Sequence, residues 1–355
     1  MTPLAEIIVQ RIRATGPMNL ADYMELCLLH PRFGYYATRD PFGNSGDFIT
    51  APEISQIFGE LCGLSLAQSW IDQGRPAPFT LAEPGPGRGT LMADMLRAMQ
   101  AVPGMTQAAE VVLIEASAHL RQMQQKRLDD VRHLKSVEEL PANPLFMIAN
   151  EFFDALPIRQ FQRVESGWAE RVVGLGDDGL RMGLSPPVNL PREGRIGDIV
   201  EDCPAAIPIM SAIATRIAAH GGAAIIVDYG GWNGFGDTFQ AVRGHAPEDP
   251  LASPGEADLT AHVDFAPLAA AAIRAGAAVS RPICQGDWLL SLGAEARAQR
   301  LYDARDKGAL DALRRLTDGQ EMGHLFKAMA VWPKGAPPVP GFDGLNADNA
   351  DADDA

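Results

Sequence analysis

Along the chain, short apolar runs alternate with segments whose apolar residues recur every three or four positions. FTLAE (79–83), EVVLIE (110–115), LFMIAN (145–150), AAIIVDY (223–229), AAVSRPIC (277–284) and HLFKAMAVW (324–332) read as strands. Thr90–Gln100, with Leu91, Met92, Met95, Leu96 and Met99 apolar, reads as a helix. Ser117–Asp130, opened by Ser117, and a segment from about Phe265 read the same way. Upstream, Pro52–Trp70 sets Ile54, Ile57, Phe58, Leu61 and Leu64 on one helical face. Thr50 and Glu53 there predict a capping box, with Pro52 in the first turn. This alternation predicts an α/β fold with a doubly wound, mostly parallel sheet.

Two stretches depart from it. IRQFQRV and WAERVVGLG alternate polar and apolar residues like an antiparallel hairpin, and SPPVNLPREGRIG after them reads as a loop. The expected organisation is therefore a helical and loop extension over 1–78 and a main domain over 79–334. That domain carries an insertion at about 157–222, of the kind that shapes a substrate pocket. Residues 335–355, proline-bearing and then rich in Asp, Asn and Ala, are expected to be a disordered acidic tail.

Composition narrows the function classes. The 355 residues carry a formal net charge of −15, which argues against binding phosphate backbones and suits a small molecule or a basic protein segment. The four cysteines are scattered without C-x-x-C spacing, and the seven histidines form no metal-binding pair, so no metal or disulfide framework is expected. No apolar run is long enough for a membrane span, and the N-terminus reads as an amphipathic helix rather than a secretory signal. An open sheet with apolar helices is also able to form a homodimer, though no face is singled out.

The sharpest chemical signal is Glu83-Pro-Gly85-Pro-Gly87-Arg-Gly89-Thr90, between a predicted strand and helix. Glycines there allow a tight turn and close approach of a ligand to the main chain. Glu115, ending the next strand, has two acceptor oxygens suited to the vicinal hydroxyls of a ribose. A dinucleotide enzyme favours G-x-G-x-x-G with a helix N-terminus on the pyrophosphate. Here the spacing is G-x-G-x-G, and Glu83 at its head repels a diphosphate but suits an ammonium group. S-adenosylmethionine is preferred over NAD, and a dehydrogenase is disfavoured. The candidate cofactor-binding residues are Glu83, Gly85, Gly87, Gly89, Thr90, Glu115, Ser117 and Asn150.

A third cluster, Asn150-Glu151-Phe152-Phe153-Asp154, follows the strand LFMIAN where ligand crevices form in open sheets. Glu151 and Asp154 are candidates for catalysis, with helix capping as the competing reading. Asp47, in a loop ahead of a helix, is a third catalytic candidate. Asp228 is a candidate for the pocket rim, and Tyr229, Trp232 and Phe153 for aromatic walls beside a sulfonium. His262 reads as a residue near a helix start.

GYY, GDFITAPEISQIFGE, LAEPGPGRGT, IEAS, ANEFFDALP, VDYGG and HVDF together resemble the MidA family of S-adenosylmethionine-dependent methyltransferases, over roughly Leu4 to Trp332. The resemblance implies a Rossmann-like class I methyltransferase sheet with the strand order of that class, the cofactor loop at Glu83–Thr90 and the ribose acid at Glu115. It also implies an arginine guanidinium on a partner protein, such as a respiratory complex I subunit, as methyl acceptor. The expected site is the mitochondrial matrix in a eukaryote and the cytoplasm in a bacterium. Two other readings stand beside it. One is a non-catalytic assembly chaperone on this fold. The other is methylation of glutamine or a small-molecule amine, because Asn150 and Phe153 resemble the ends of a [DN]-P-P-[YFW] pattern whose prolines are missing here.

Overall fold

Six consecutive buried residues make Phe79–Pro84 (β1) a strand covered on both faces, the pattern of a parallel sheet interior. The computed structural model describes residues 2–38, 50–232 and 234–343. Its main sheet continues with β2 (Ala109–Ile114), β3 (Arg132–Leu134), β4 (Leu145–Asn150), β5 (Gly222–Gly231), β6 (Ala277–Val279) and β7 (Phe326–Pro333). The order across the sheet is β3-β2-β1-β4-β5-β7-β6. Strands β1 to β5 pair in parallel, and β7 enters antiparallel between β5 and β6. The expected Rossmann-like sheet is thus present, and the chain reverses direction across it between β1 and β4, where ligand crevices open.

The chain divides into two compact units, and this sheet belongs to the one formed by Ile49–Phe153, Ile207–Gly231 and Asp264–Ala355. Helices α1 (Gln56–Asp72), α2 (Thr90–Met99), α3 (Ala118–Arg127), α4 (Ala206–His220) and α5 (Phe265–Arg274) accompany its strands. Its core joins Phe58, Leu66 and Trp70 of α1 and Met92, Met95 and Met99 of α2 to Phe79, Phe146 and Ile225 of the strands. Helix α1 lies close on α2 because Gly59 and Gly63 have no side chains. A Cβ at Gly59 would come within 2.6 Å of the Asp94 Cβ. Three helices at Gln285–Ser291, Ala294–Asp303 and Ala309–Thr317 precede β7, where the sequence pattern assigns no element.

The other unit holds 1–48, 154–206 and 232–263. The expected hairpin is there, Arg159–Val164 against Gly167–Gly176, antiparallel, with Phe161 opposite Glu170. Gly179–Leu184 and Ile199–Asp202 extend it. The N-terminal helix Pro3–Thr15 is capped by the Thr2 side chain and buries Leu4, Ile8 and Ile12 with Tyr23, Met24 and Val173.

Several boundaries differ from the sequence reading. Helix α4, expected inside the insertion, belongs to the sheet unit: a parallel β4–β5 pair needs a crossover, and Met210, Ile213 and Ile217 give it a buried face. Helix α1 starts at Gln56, after a short helix Ala51–Ile54, and is capped by Ser55, whose side chain accepts from the Ile57 amide. The predicted capping box does not form, since Thr50 makes no side-chain cap bond. Within 335–343, expected to be tail, Val339 and Phe342 are buried, with the Phe342 ring 5.7 Å from that of Trp288. The stretch packs because these two apolar side chains sit among its prolines. Residues 344–355 lie outside the described residues.

Candidate active site

The carboxyl ends of β2, β1, β4 and β5 stand side by side in the sheet, and each carries or immediately precedes a buried polar residue: Glu115, Glu83, Asn150 and Asp228. From β1 the chain turns through Gly85, Gly87 and Gly89, all left-handed (φ +63°, +51° and +74°), into α2. Only glycine adopts such a run without strain. A Cβ at Gly85 would also meet the Phe152 ring at 3.2 Å. The loop crest is pinned from α3, where Gln124 Nε2 donates to the Gly87 carbonyl at 2.7 Å.

Glu83 is buried, and its carboxyl is pushed up to about 8, chiefly by burial and further by the charge of Glu115, against the pull of the Met92 amide. Its Oε2 has no hydrogen-bond partner among the described residues. Glu115 is also raised, first by burial, but it is better supported. Its Oε1 accepts from the Ser117 amide at 2.7 Å and its Oε2 from Gln124 at 3.3 Å. Arg121 donates to the Glu115 carbonyl, and His133 Nε2 lies 2.8 Å from Gln124 Oε1. Gln124, fully buried, thus ties loop, acid and helix together, and nothing in the sequence distinguishes it from its neighbour Gln125.

Two expected cofactor residues serve locally through their side chains. The Ser117 hydroxyl caps α3 on the Leu120 amide. The Thr90 hydroxyl donates to Glu53 Oε1 at 2.6 Å and accepts from Arg127. That bond explains the missing capping box, because the Glu53 carboxylate is drawn to the glycine loop, where Arg88 also approaches it at 3.9 Å.

At the end of β4, Asn150 Nδ2 donates to Glu151 Oε1 at 3.1 Å, while the buried Asn150 Oδ1 has no partner among the described residues. Glu151 takes a left-handed φ of +49°, uncommon for a residue with a side chain, while its amide bonds the Val227 carbonyl at 2.9 Å. Asp228, fully buried, accepts from the Phe153 and Tyr229 amides at 3.0 Å each, so it holds the β4 turn rather than lining a rim. Of the expected aromatic walls, Phe153 packs edge-on against Phe152 and Tyr229 against Phe326. Trp232 lies in the other unit.

So Glu83, the three glycines, Glu115, Asn150 and Glu151 gather in the sheet unit. Asp154 opens the second segment of the other unit and is buried there, with its carbonyl accepting from the Ala261 amide at 3.1 Å. Asp47 lies outside the described residues.

Two buried carboxyls and an orphaned amide oxygen, beside a loop open to the main chain, form an acceptor-rich set. It matches a ligand offering hydroxyl hydrogens and positive charge, and is ill-suited to a pyrophosphate. The unpartnered oxygens each cost about 1–3 kcal/mol while they lack a donor.

Comparison with known proteins points the same way. Residues 61–283 match a family model of S-adenosyl-L-methionine-dependent methyltransferases. The chain is 35% identical over 372 residues to protein arginine methyltransferase NDUFAF7, mitochondrial, of Homo sapiens, covering 94% of this chain and 84% of that one. Its counterpart from Xenopus tropicalis is 34% identical over 382 residues, covering 95% and 89%. Among solved structures, a Burkholderia thailandensis protein bound to S-adenosyl-homocysteine superposes with a TM-score of 0.84 at 27% identity, covering 97% of this chain and 95% of that one.

Proposed function

The chain belongs to the S-adenosyl-L-methionine-dependent methyltransferase family, and from that premise we propose that its acceptor is an arginine guanidinium of a protein, specifically a respiratory complex I subunit. The observation that carries the acceptor is the near-full-length likeness to relatives named protein arginine methyltransferases. The acidic balance of the chain suits a basic protein segment.

When bound, the cofactor supplies an electrophilic methyl group on a sulfonium. Glu115 receives the ribose hydroxyls, with its carboxylate aimed by Ser117 and Gln124. Glu83 receives the ammonium group, and the glycine loop admits the ligand against the main chain. Glu151 orients the guanidinium, which is planar, always charged and complementary to carboxylates. Methyl transfer depends mainly on such positioning, which can supply about 7–11 kcal/mol of barrier reduction.

The relatives are named mitochondrial, and no helix among the described residues is long and apolar enough to cross a membrane. In a eukaryotic cell this reading places the chain in the mitochondrial matrix, and in a bacterium in the cytoplasm.

The test is transfer of tritiated methyl from S-adenosylmethionine to complex I purified from cells lacking this enzyme, followed by amino-acid analysis. Label in methylarginine is the expected result. Label in another residue type, or none while calorimetry shows the cofactor bound, overturns the acceptor.

A further inference from the structure

We propose that Asn150 is a substrate-positioning residue: its side-chain carbonyl, buried at the end of β4 without a donor among the described residues, receives an N–H of the methyl-accepting nitrogen. This moves Asn150 from the cofactor to the acceptor, and it rests on the methyltransferase reading above.

The assignment of its two amide atoms is forced. The atom 3.1 Å from Glu151 Oε1 must be the donor nitrogen, since the flipped amide would set oxygen against oxygen. That leaves Oδ1 buried with no partner among the described residues, although Asn150 as a whole is only 8% exposed. Nearly all buried polar atoms in folded proteins are satisfied, so an orphan at a strand end within a ligand crevice calls for a ligand donor.

Sheet order decides which ligand. The cofactor acids stand on β1 and on the end of β2, whereas Asn150 stands on β4, on the opposite flank of β1. The acceptor therefore arrives over β4. The neighbouring Glu151 is held in a left-handed conformation by its amide bond to Val227, so a carboxylate and a neutral carbonyl are presented from consecutive residues.

Two N–H bonds of one terminal nitrogen, one to Asn150 Oδ1 and one to Glu151, fix that nitrogen's plane and its lone pair. The lone pair forms the new N–C bond as the C–S bond breaks, and the electron pair of that bond stays on sulfur. The nitrogen then holds one proton too many and releases it to Glu151, and thence to water. One guanidinium and one sulfonium become one methylguanidinium, one thioether and one proton, so charge balances. A second carboxylate at 150 would repel Glu151 and have no donor to give it, which is why an amide suits the position.

The experiment uses the full chain with Asn150→Ala and Asn150→Ser. S-adenosylhomocysteine affinity is measured by calorimetry, and single-turnover methyl transfer is measured to complex I from cells lacking the enzyme. Both variants are expected to bind S-adenosylhomocysteine within about threefold of wild type while Asn150→Ala transfers about 100-fold more slowly. The hydroxyl in Asn150→Ser restores part of the rate. Parallel loss of cofactor affinity and rate, or an unchanged rate in Asn150→Ala, overturns the proposal. Wild-type label on glutamine instead of arginine would remove the arginine reading yet still support Asn150, provided Asn150→Ala slows that transfer. No transfer by wild type with the cofactor bound removes both.

Discussion

The ends of β1 and β5 each bury a carboxylate, and the two are used in opposite ways. At β5, both oxygens of Asp228 accept main-chain amides, from Phe153 and Tyr229. At β1, Glu83 has the Met92 amide on its carboxyl but keeps Oε2 without a partner among the described residues, and its carboxyl rises to about 8. Burial alone therefore does not mark a functional acid. What separates the two is whether the fold itself supplies the donors: both oxygens of Asp228 have one, and Glu83 Oε2 has none among the described residues.

The sharpest way to break that contrast is to remove each acid. Asp228→Ala leaves two amides without their acceptor and should lower stability by about 2–4 kcal/mol, read by urea unfolding. Glu83→Gln should fold at least as well as wild type, because it removes a buried ionisable group. It should nonetheless weaken S-adenosylmethionine binding roughly 100-fold, about 2.7 kcal/mol, in calorimetry. If Glu83→Gln unfolds the chain, or Asp228→Ala spares stability, the division of labour between the two strand ends is wrong.

Protonation sharpens it further. Glu83, held at about 8 in the folded chain, is mostly neutral at pH 7, and a cationic ligand needs it charged. Affinity for S-adenosylmethionine should tighten about tenfold per pH unit from pH 6 to 8, flatten above, and lose this slope in Glu83→Gln. Stability of the ligand-free protein runs the other way. A carboxyl raised in the folded state contributes fully below its unfolded value, about 4.3, and that contribution is lost as pH rises through about 8. Urea midpoints of wild type and Glu83→Gln should therefore converge toward acid. Parallel curves would show that Glu83 titrates normally.

Much of the candidate site's arrangement was legible because its signals are local. A glycine run between a strand and a helix, and an acid one position past the next strand, each declare themselves within a few residues. The Glu53 reading failed for the complementary reason: the partner that overrode a local capping box is Thr90, 37 residues downstream. Asp228 misled in the same way, because its partner at Phe153 lies 75 residues away and depends on β4 and β5 being neighbours. The same distance hid the division into units. The chain leaves the sheet twice, at 154–206 and 232–263, and only the first excursion shows an alternation of its own.

Gln124 is the residue that no local pattern could have found, and it gives the mildest test of the contrast between supplied and missing donors. Its amide donates to the Gly87 carbonyl and to Glu115 Oε2, so it provides at Glu115 the kind of support that Glu83 Oε2 lacks among the described residues. If preorganisation of Glu115 matters, Gln124→Ala should loosen the cofactor about three- to tenfold, about 0.7–1.4 kcal/mol, the net worth of roughly one ordinary hydrogen bond. The loss should fall on ligands with intact ribose hydroxyls. A 2′,3′-dideoxy analogue of S-adenosylhomocysteine, lacking both groups, should bind wild type and Gln124→Ala alike. Equal loss for both ligands would mean that Gln124 acts through the glycine loop instead, and would shift its weight from the acid on β2 to the turn that follows β1.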